Sequence, residues 1–324
     1  AYRILRKIAE GGMGSVYEAE QEHPDRRVAL KTLRPGLRSP SLMRRFEREI
    51  RLLARLQHPG IAQILDAGTA DTDLGRTPFF TMEFIEGRPI VEASQADGLS
   101  TRERLLLIAE ICDAVQYAHQ QGVIHRDLKP ANILVTTDSE GTRRVKVLDF
   151  GVARAIDVDE HAGTLQTDVG QLVGTLPYMS PEQVAGEVRA MGTGCDVYAL
   201  GVVLYELLTG RLPHDVDGLA ITEAARVICE SDARSIARVD SAYRGDLETI
   251  VGKAIEKEPE RRYSSAAELA EDTRRFLAHA PIMARPPSSF YVARKFARRH
   301  RALVGGAVST IVVLVAGIVA ATVQ

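Results

Sequence analysis

His125-Arg126-Asp127-Leu128-Lys129-Pro130-Ala131-Asn132, followed 17 residues after Asn132 by Asp149-Phe150-Gly151, is the stretch whose reading decides the fold. Two strand-like runs, Asn132 to Thr137 and Arg144 to Leu148, lie between the octet and the triplet with a polar turn between them. A short β-ribbon therefore carries both parts of the motif. Upstream, Leu105 to His119 follows a helical period. Downstream the pattern is again mainly helical, over Asp196 to Thr209, Glu223 to Glu230, Leu247 to Glu256 and Ala266 to Ala278. The first 80 residues differ: strand-like runs at Val28 to Lys31, Ile61 to Leu65 and Phe79 to Glu83 surround one helical pattern. In that helix Phe46, Ile50, Leu53 and Leu56 recur at spacings of three and four, with Glu49 near the same face. The expectation is an α+β chain in two lobes, a small β-rich one with one helix and a larger, mainly α-helical one from about Leu99.

Composition narrows the class. With 324 residues, 45% hydrophobic and 26% charged, the chain is too apolar for wholesale disorder and too poor in Gly and Cys for a collagen-like or disulfide-framework protein. Its length allows about two core-forming units. Cys112, Cys195 and Cys229 are widely spaced among apolar or helix-forming neighbours and read as reduced, buried thiols. The chain starts at Ala1 inside a strand-like run, as a fragment would, and shows no signal peptide. Every Asp and Glu lies at or before Asp272, whereas eight of the 41 Lys and Arg residues lie beyond it. An acidic body with a basic tail argues against nucleic acid as a partner and for anionic lipid.

The tail ends in 22 uncharged residues, 302–323, about 33 Å long as a helix and long enough to span a bilayer. Arg294, Lys295, Arg298, Arg299 and Arg301 crowd the eight residues before it, which places that flank on the cytoplasmic side. Residues 281–301, with Pro281, Pro286 and Pro287, read as an extended basic juxtamembrane linker. The sequence thus predicts a single-pass protein of the cell membrane with residues 1–280 cytoplasmic.

Ile8-Ala9-Glu10-Gly11-Gly12-Met13-Gly14-Ser15-Val16 is a glycine-rich turn between two strand-like runs. Glycines there let backbone amides approach phosphate oxygens that a Cβ would keep away, although an ordinary hairpin reads the same way. By itself Lys31 could be a solvated strand lysine, and Glu49 a surface helix charge.

The octet and triplet decide between these readings, because together they resemble the eukaryotic-like (Hanks-type) serine/threonine protein kinases of bacteria. The likeness covers about Tyr2 to His279 and implies an N-lobe over 1–84 and a C-lobe over 85–280, with ATP and Mg²⁺ in the cleft. By resemblance Lys31 would hold the α/β-phosphates and Glu49 would pair with Lys31. Asp127 would accept the proton of a protein Ser or Thr hydroxyl, and Lys129 would steady the transferring phosphate. Asn132 and Asp149 would coordinate Mg²⁺, a hard cation suited to carboxylate and amide oxygens. ATP would lie against Ile8, Gly11, Gly12, Gly14 and Val16, with Ala29 and Leu134 completing the adenine sandwich. Met82 would be the gatekeeper, and Glu83 to Ile85 the hinge.

Gly174-Thr175 and Ser180-Pro181-Glu182 resemble the end of the activation segment, with Ser180 where the family usually has Ala. Asp196 resembles the anchor of the large-lobe central helix, and Arg262 the partner of Glu182. Lys129 together with Thr175 favours Ser/Thr over Tyr as acceptor. Arg126 beside the catalytic Asp suggests activation by phosphorylation. Thr164 and Thr167 are the hydroxyl-bearing residues between Val152 and Val173 and hence the autophosphorylation candidates. Ala9 replaces the first glycine of the phosphate loop, a departure expected to weaken nucleotide binding or leave it unchanged. Two rivals stand beside this reading: a scaffold of the same fold without turnover, and transfer to a small molecule. Against the first, Lys31, Glu49, Asp127, Asn132 and Asp149 are all present; against the second stands the segment from Gly174 to Glu182. The sequence leaves open homodimer formation and the identity of the protein substrate.

Overall fold

Strand β1 (Tyr2–Gly11), β2 (Gly14–Glu22), β3 (Asp25–Leu33), β4 (Ile64–Thr72) and β5 (Gly75–Glu83) form an antiparallel sheet in the order β1-β2-β3-β5-β4. The computed structural model describes residues 1–11, 14–33, 46, 48, 50–72, 75–138, 140–150, 174–187, 191–286 and 295. Alternation along β3 divides the sheet's two faces. Val28 and Leu30 join Ala19 under Tyr2, Tyr17 and Phe79 on one face. On the other, Ala29, Leu33, Phe80 and Met82 enter the main core together with Phe46, Ile50, Leu53 and Leu56. The helical face read from the sequence is therefore the buried one. Strands β1, β2 and β3 are tied by cross-strand charge pairs, Glu18 of β2 receiving both Arg6 and Arg27.

The strand expected over Ile61 to Leu65 is divided. Ile61 bridges to Val147, with the Ala62 amide 2.9 Å from the Val147 carbonyl, and β4 begins only at Ile64. Two backbone bonds at Val147, the second from its own amide to the Gly60 carbonyl at 2.8 Å, thus join the small lobe to the large one.

A second sheet, β6 (Arg88–Pro89), β7 (Ile133–Thr137) and β8 (Arg143–Val147), carries the ribbon expected between octet and triplet. Besides the helical residues 46, 48 and 50–53, the α-helices among the described residues are α1 (Ile90–Ala96), α2 (Thr101–Gln120), α3 (Pro181–Val184), α4 (Gly194–Thr209), α5 (Ile221–Glu230), α6 (Ile236–Val239), α7 (Asp246–Ala254) and α8 (Ala266–Leu277). A capping box starts α2: the Glu103 amide donates to Ser100 Oγ, and the Ser100 amide donates to the Glu103 carboxylate at 2.9 Å. Apolar on nearly every side, α4 is the buried axis of the large lobe, and Gly210 at φ 68° ends it. At Gly201 a Cβ would lie 2.7 Å from both Ala254 Cβ and Ile255 Cγ2, so the absence of a side chain sets how closely α4 approaches the end of α7.

The stretch from 281, expected as an extended linker, is packed on the large lobe through 284. Ile282 is buried, and the fully buried Asp272 accepts the amides of Met283 at 2.6 Å and Ala284 at 2.8 Å besides the Tyr263 hydroxyl at 3.0 Å. Farther on, Lys295 Nζ lies 2.5 Å from Asp246 Oδ2, and Arg285 Nη1 lies 3.6 Å from Oδ1 of the same carboxylate. Among the described residues no helix is long and apolar enough to cross a membrane. Residues 302–323, expected as a transmembrane helix, lie outside the described residues.

Candidate active site

The glycine-rich turn opens the cleft from above. Gly11 pairs with Gly14 at the end of the β1–β2 ladder. Gly14 has φ 149°, and a Cβ on it would sit 1.7 Å from the Thr32 carbonyl oxygen, so no other residue fits there. Ala9 pairs with Val16 in the same ladder and does not have positive φ, which is why alanine is accommodated without strain. Gly12 lies outside the described residues, and the Ile8 side chain is exposed.

Register then assembles the walls. Val16 is opposite Lys31, Lys31 opposite Phe80, and Ala29 opposite Met82. Partners directly across a ladder share a face, so Val16, Ala29, Lys31 and Met82 point the same way. From the large lobe Leu134 pairs with Pro89, four residues after Ile85. Glu83 itself is held twice: its amide donates to the Gln63 carbonyl at 2.9 Å, and its carboxylate receives Lys146 Nζ at 2.7 Å. Lys146 was not singled out in the sequence.

Lys31 Nζ reaches across the cleft and bonds Asp149 Oδ2 at 2.7 Å. Glu49, its expected partner, lies outside the described residues. Asp149 Oδ1 is buried and has no hydrogen-bond partner. Asp149 and Arg126 are both non-glycine residues in left-handed conformation, at φ 56° and 67°. Such geometry persists only where neighbours enforce it and clusters at functional sites.

Asp196 is one of those neighbours, accepting the amides of His125 and Arg126, each at 2.8 Å, and His119 Nε2 at 2.7 Å. Burial alone would push its carboxyl pKa up, but the bond from His119 and the nearby His125 more than offset this and leave it below the ordinary aspartate value. His125 in turn bonds the Leu148 carbonyl at 2.8 Å and packs its ring 4.7 Å from that of Phe150, so octet and triplet meet directly.

Around Asp127 the polar groups converge. Lys129 Nζ lies 3.0 Å from its carboxylate and 2.7 Å from Thr175 Oγ1. Asn132 Nδ2 donates to the Asp127 carbonyl at 2.7 Å and to Oδ2 at 3.1 Å. With its nitrogen so engaged, the Asn132 amide oxygen is left for another ligand. Among the described residues no three His, Cys, Asp or Glu side chains gather as a metal site. The donors here are instead the orphaned Asp149 oxygen and the Asn132 amide oxygen, a set that fits a hard divalent cation completed by phosphate and water.

Below the site, Arg262 grips Glu182 through two bonds of 2.6 and 2.7 Å. Burial raises the Glu182 carboxyl and the Arg262 bonds lower it further than that, leaving it below the ordinary range. Gln183, also not singled out in the sequence, donates from Nε2 to the Arg126 carbonyl at 2.9 Å. The S-x-x-Q spacing from Ser180 was a readable capping signal for it. Thr164 and Thr167 lie outside the described residues.

The fold and this arrangement define a protein kinase, and residues 2–273 match the model of the protein kinase domain, so the chain belongs to that family. It is 39% identical over 273 residues to the serine/threonine-protein kinase PknB of Mycobacterium tuberculosis, a match covering 84% of this chain and 42% of that protein. To the serine/threonine-protein kinase Pkn1 of Myxococcus xanthus it is 38% identical over 268 residues, covering 82% and 37%. The matched region thus spans about two fifths of these relatives. A crystal structure of the Mycobacterium tuberculosis PknI kinase domain superposes with a TM-score of 0.61 at 25% identity, covering 84% of this chain and 95% of that one.

Proposed function

We propose that the chain is a serine/threonine protein kinase that transfers the γ-phosphoryl group of ATP to protein hydroxyls, anchored in the cell membrane by residues 302–323. The observation that carries the catalytic reading is the cluster at Asp127, in which one carboxylate is fixed by Lys129 and Asn132 while Lys129 also bonds Thr175. A carboxylate held this way has an orientation set before substrate arrives.

In this reading the acceptor hydroxyl gives its proton to Asp127 as its oxygen forms a bond to the γ-phosphorus. The bond to the bridging oxygen breaks and ADP leaves. Lys129 offsets charge on the transferring group, and Lys31 holds the α/β-phosphates. Asn132 and Asp149 would hold Mg²⁺, which when bound neutralises charge between the β- and γ-phosphates. The adenine would lie between Val16, Ala29 and Leu134 with Met82 behind it, its edge toward the backbone of Glu83 to Ile85.

Activation by autophosphorylation at Thr164 or Thr167 belongs to the same proposal. Supporting it, Arg126 Nε is buried without a hydrogen-bond partner and Arg126 forms no ion pair among the described residues, a cation awaiting an anion. The membrane reading rests on the uncharged run and its basic flank.

Transfer of labelled phosphate from ATP and Mg²⁺ to a basic protein, by the chain and by Asp127→Asn, tests the catalytic part. Label on Ser and Thr with the parent alone is expected. Nucleotide binding without label from either protein would instead favour a scaffold. Mass spectrometry of the active parent should find phosphate on Thr164 or Thr167, and finding neither modified would remove the autophosphorylation proposal.

A further inference from the structure

Arg126 immediately precedes Asp127, and its left-handed backbone is a conformation that has to be held in place. Asp196 holds it from the amide side, at the His125 and Arg126 N–H groups. From the carbonyl side the hold comes from Gln183, whose Nε2 donates to Arg126 O at 2.9 Å. That carbonyl belongs to the peptide group joining Arg126 to Asp127, so its direction sets where the Asp127 carboxylate points relative to Lys129 and Asn132.

The orientation of the Gln183 amide is fixed by chemistry. Its Oε1 accepts from the Ser180 amide at 3.1 Å, which can only donate, and its Nε2 faces a carbonyl, which can only accept. The preceding residue, Glu182, is the one locked to buried Arg262. The single turn α3 therefore grips the large-lobe core with one side chain and the catalytic loop with the next. Pro181 and Val184 of the same turn touch α5, through the contact of Cys229 Sγ with the Pro181 carbonyl and the cluster formed by Leu176, Val216, Ala224 and Ile228.

We propose that Gln183 is a positioning residue for phosphoryl transfer, fixing the Arg126–Asp127 peptide group and so linking the seating of the Thr175–Val184 segment to the catalytic carboxylate. The proposal rests on the reading of Asp127 given above. It requires both halves of the amide. Glu keeps the shape and the acceptor but turns an oxygen toward the Arg126 carbonyl, whereas Met offers neither donor nor acceptor. A protonated Glu, by contrast, donates as Gln does.

The test compares the chain with Gln183→Glu, Gln183→Met and Asp127→Asn, measuring kcat and the KM of ATP and of an acceptor peptide across pH, with nucleotide affinity as the check on folding. At about pH 8 both Gln183 variants should lose about 10- to 100-fold in kcat with the KM of ATP within about twofold of the parent. Lowering the pH toward about 6 should raise the kcat of Gln183→Glu relative to the parent, as the carboxyl beside a carbonyl becomes protonated. The ratio for Gln183→Met should stay flat. Parent-like kcat in both variants, or an equal and pH-independent loss in both, would overturn the proposal. Activity surviving in Asp127→Asn would defeat the Asp127 reading itself, whereas its loss beside normal Gln183 variants would remove only the role of Gln183.

Discussion

Replacing Arg262 by Met should be among the most damaging single changes outside the cleft. The guanidinium is wholly buried, and besides its two bonds to Glu182 it donates to the carbonyls of Glu256 at 2.6 Å, Lys257 at 2.7 Å and Gly194 at 3.0 Å. Methionine fills much of the space but donates nothing, leaving a buried carboxylate and three carbonyls without their donors. Removing one partner of a buried pair costs about 3–5 kcal/mol. In a domain of this size each kcal/mol moves Tm by about 2–4 °C, so a fall of about 6–20 °C is expected. Loss of the cation 5.1 Å above the Tyr198 ring acts in the same direction.

Thermal unfolding without nucleotide, followed by near-ultraviolet circular dichroism, reads the loss, and two internal comparisons locate its cause. Glu182→Leu combined with Arg262→Met removes the orphaned charge and should melt above the single variant. The pH dependence also changes sign. In the parent the Glu182 carboxyl is held below its ordinary value, so its contribution is present above about pH 4.3 and is lost as pH falls. Without Arg262 burial would hold it above that value, so the deficit is largest near neutrality and shrinks as Glu182 takes up a proton. A Tm within about 2 °C of the parent, or a double variant less stable than the single one, would refute the reasoning.

Gly201→Ala should destabilise by about 1–3 kcal/mol through overpacking against Ala254 and Ile255, visible as a lower denaturant midpoint with an unchanged m-value. Thr175→Ala removes the neutral acceptor of Lys129 and should lower kcat about tenfold, measured with a Ser/Thr peptide at saturating ATP. The depressed Asp196 carboxyl gives stability that is full above about pH 4 and fades below it. Asp196→Asn should therefore be less stable at pH 7, with the gap closing toward about pH 3 in acid unfolding. Asp272→Ala leaves the Met283 and Ala284 amides without their acceptor, and limited proteolysis should cut the 281–286 stretch faster than in the parent.

Much of this architecture is legible from local pattern. Helix α4 is apolar all round because it is an axis, and Phe46, Ile50 and Leu53 show their face because one side of their helix is buried, with Leu56 buried just past its end. The octet and triplet are legible for a different reason: their chemistry tolerates few residue types. Less legible are the parts fixed by distant partners. The run at Ile61 looks like one strand, yet Val147, 86 residues away, captures its first residue. Lys146 reads as an ordinary strand lysine until the fold brings Glu83 beside it. The proline-bearing stretch after Ala280 reads as a linker because nothing local marks Asp272 as an acceptor for backbone amides.

That carboxylate also decides where the kinase domain can be shortened. The family match stops at residue 273, inside α8, and helical periodicity would draw the border at the end of α8, Leu277. A chain ended there would strip Asp272 of the Met283 and Ala284 amides, leaving it the Tyr263 hydroxyl, and would uncover the surface that Ile282 fills. Shortened versions intended for crystallisation or inhibitor screening should therefore run through residue 286, so that a loss of yield or activity in a tighter version is traced to the missing strap before it is blamed on the catalytic site.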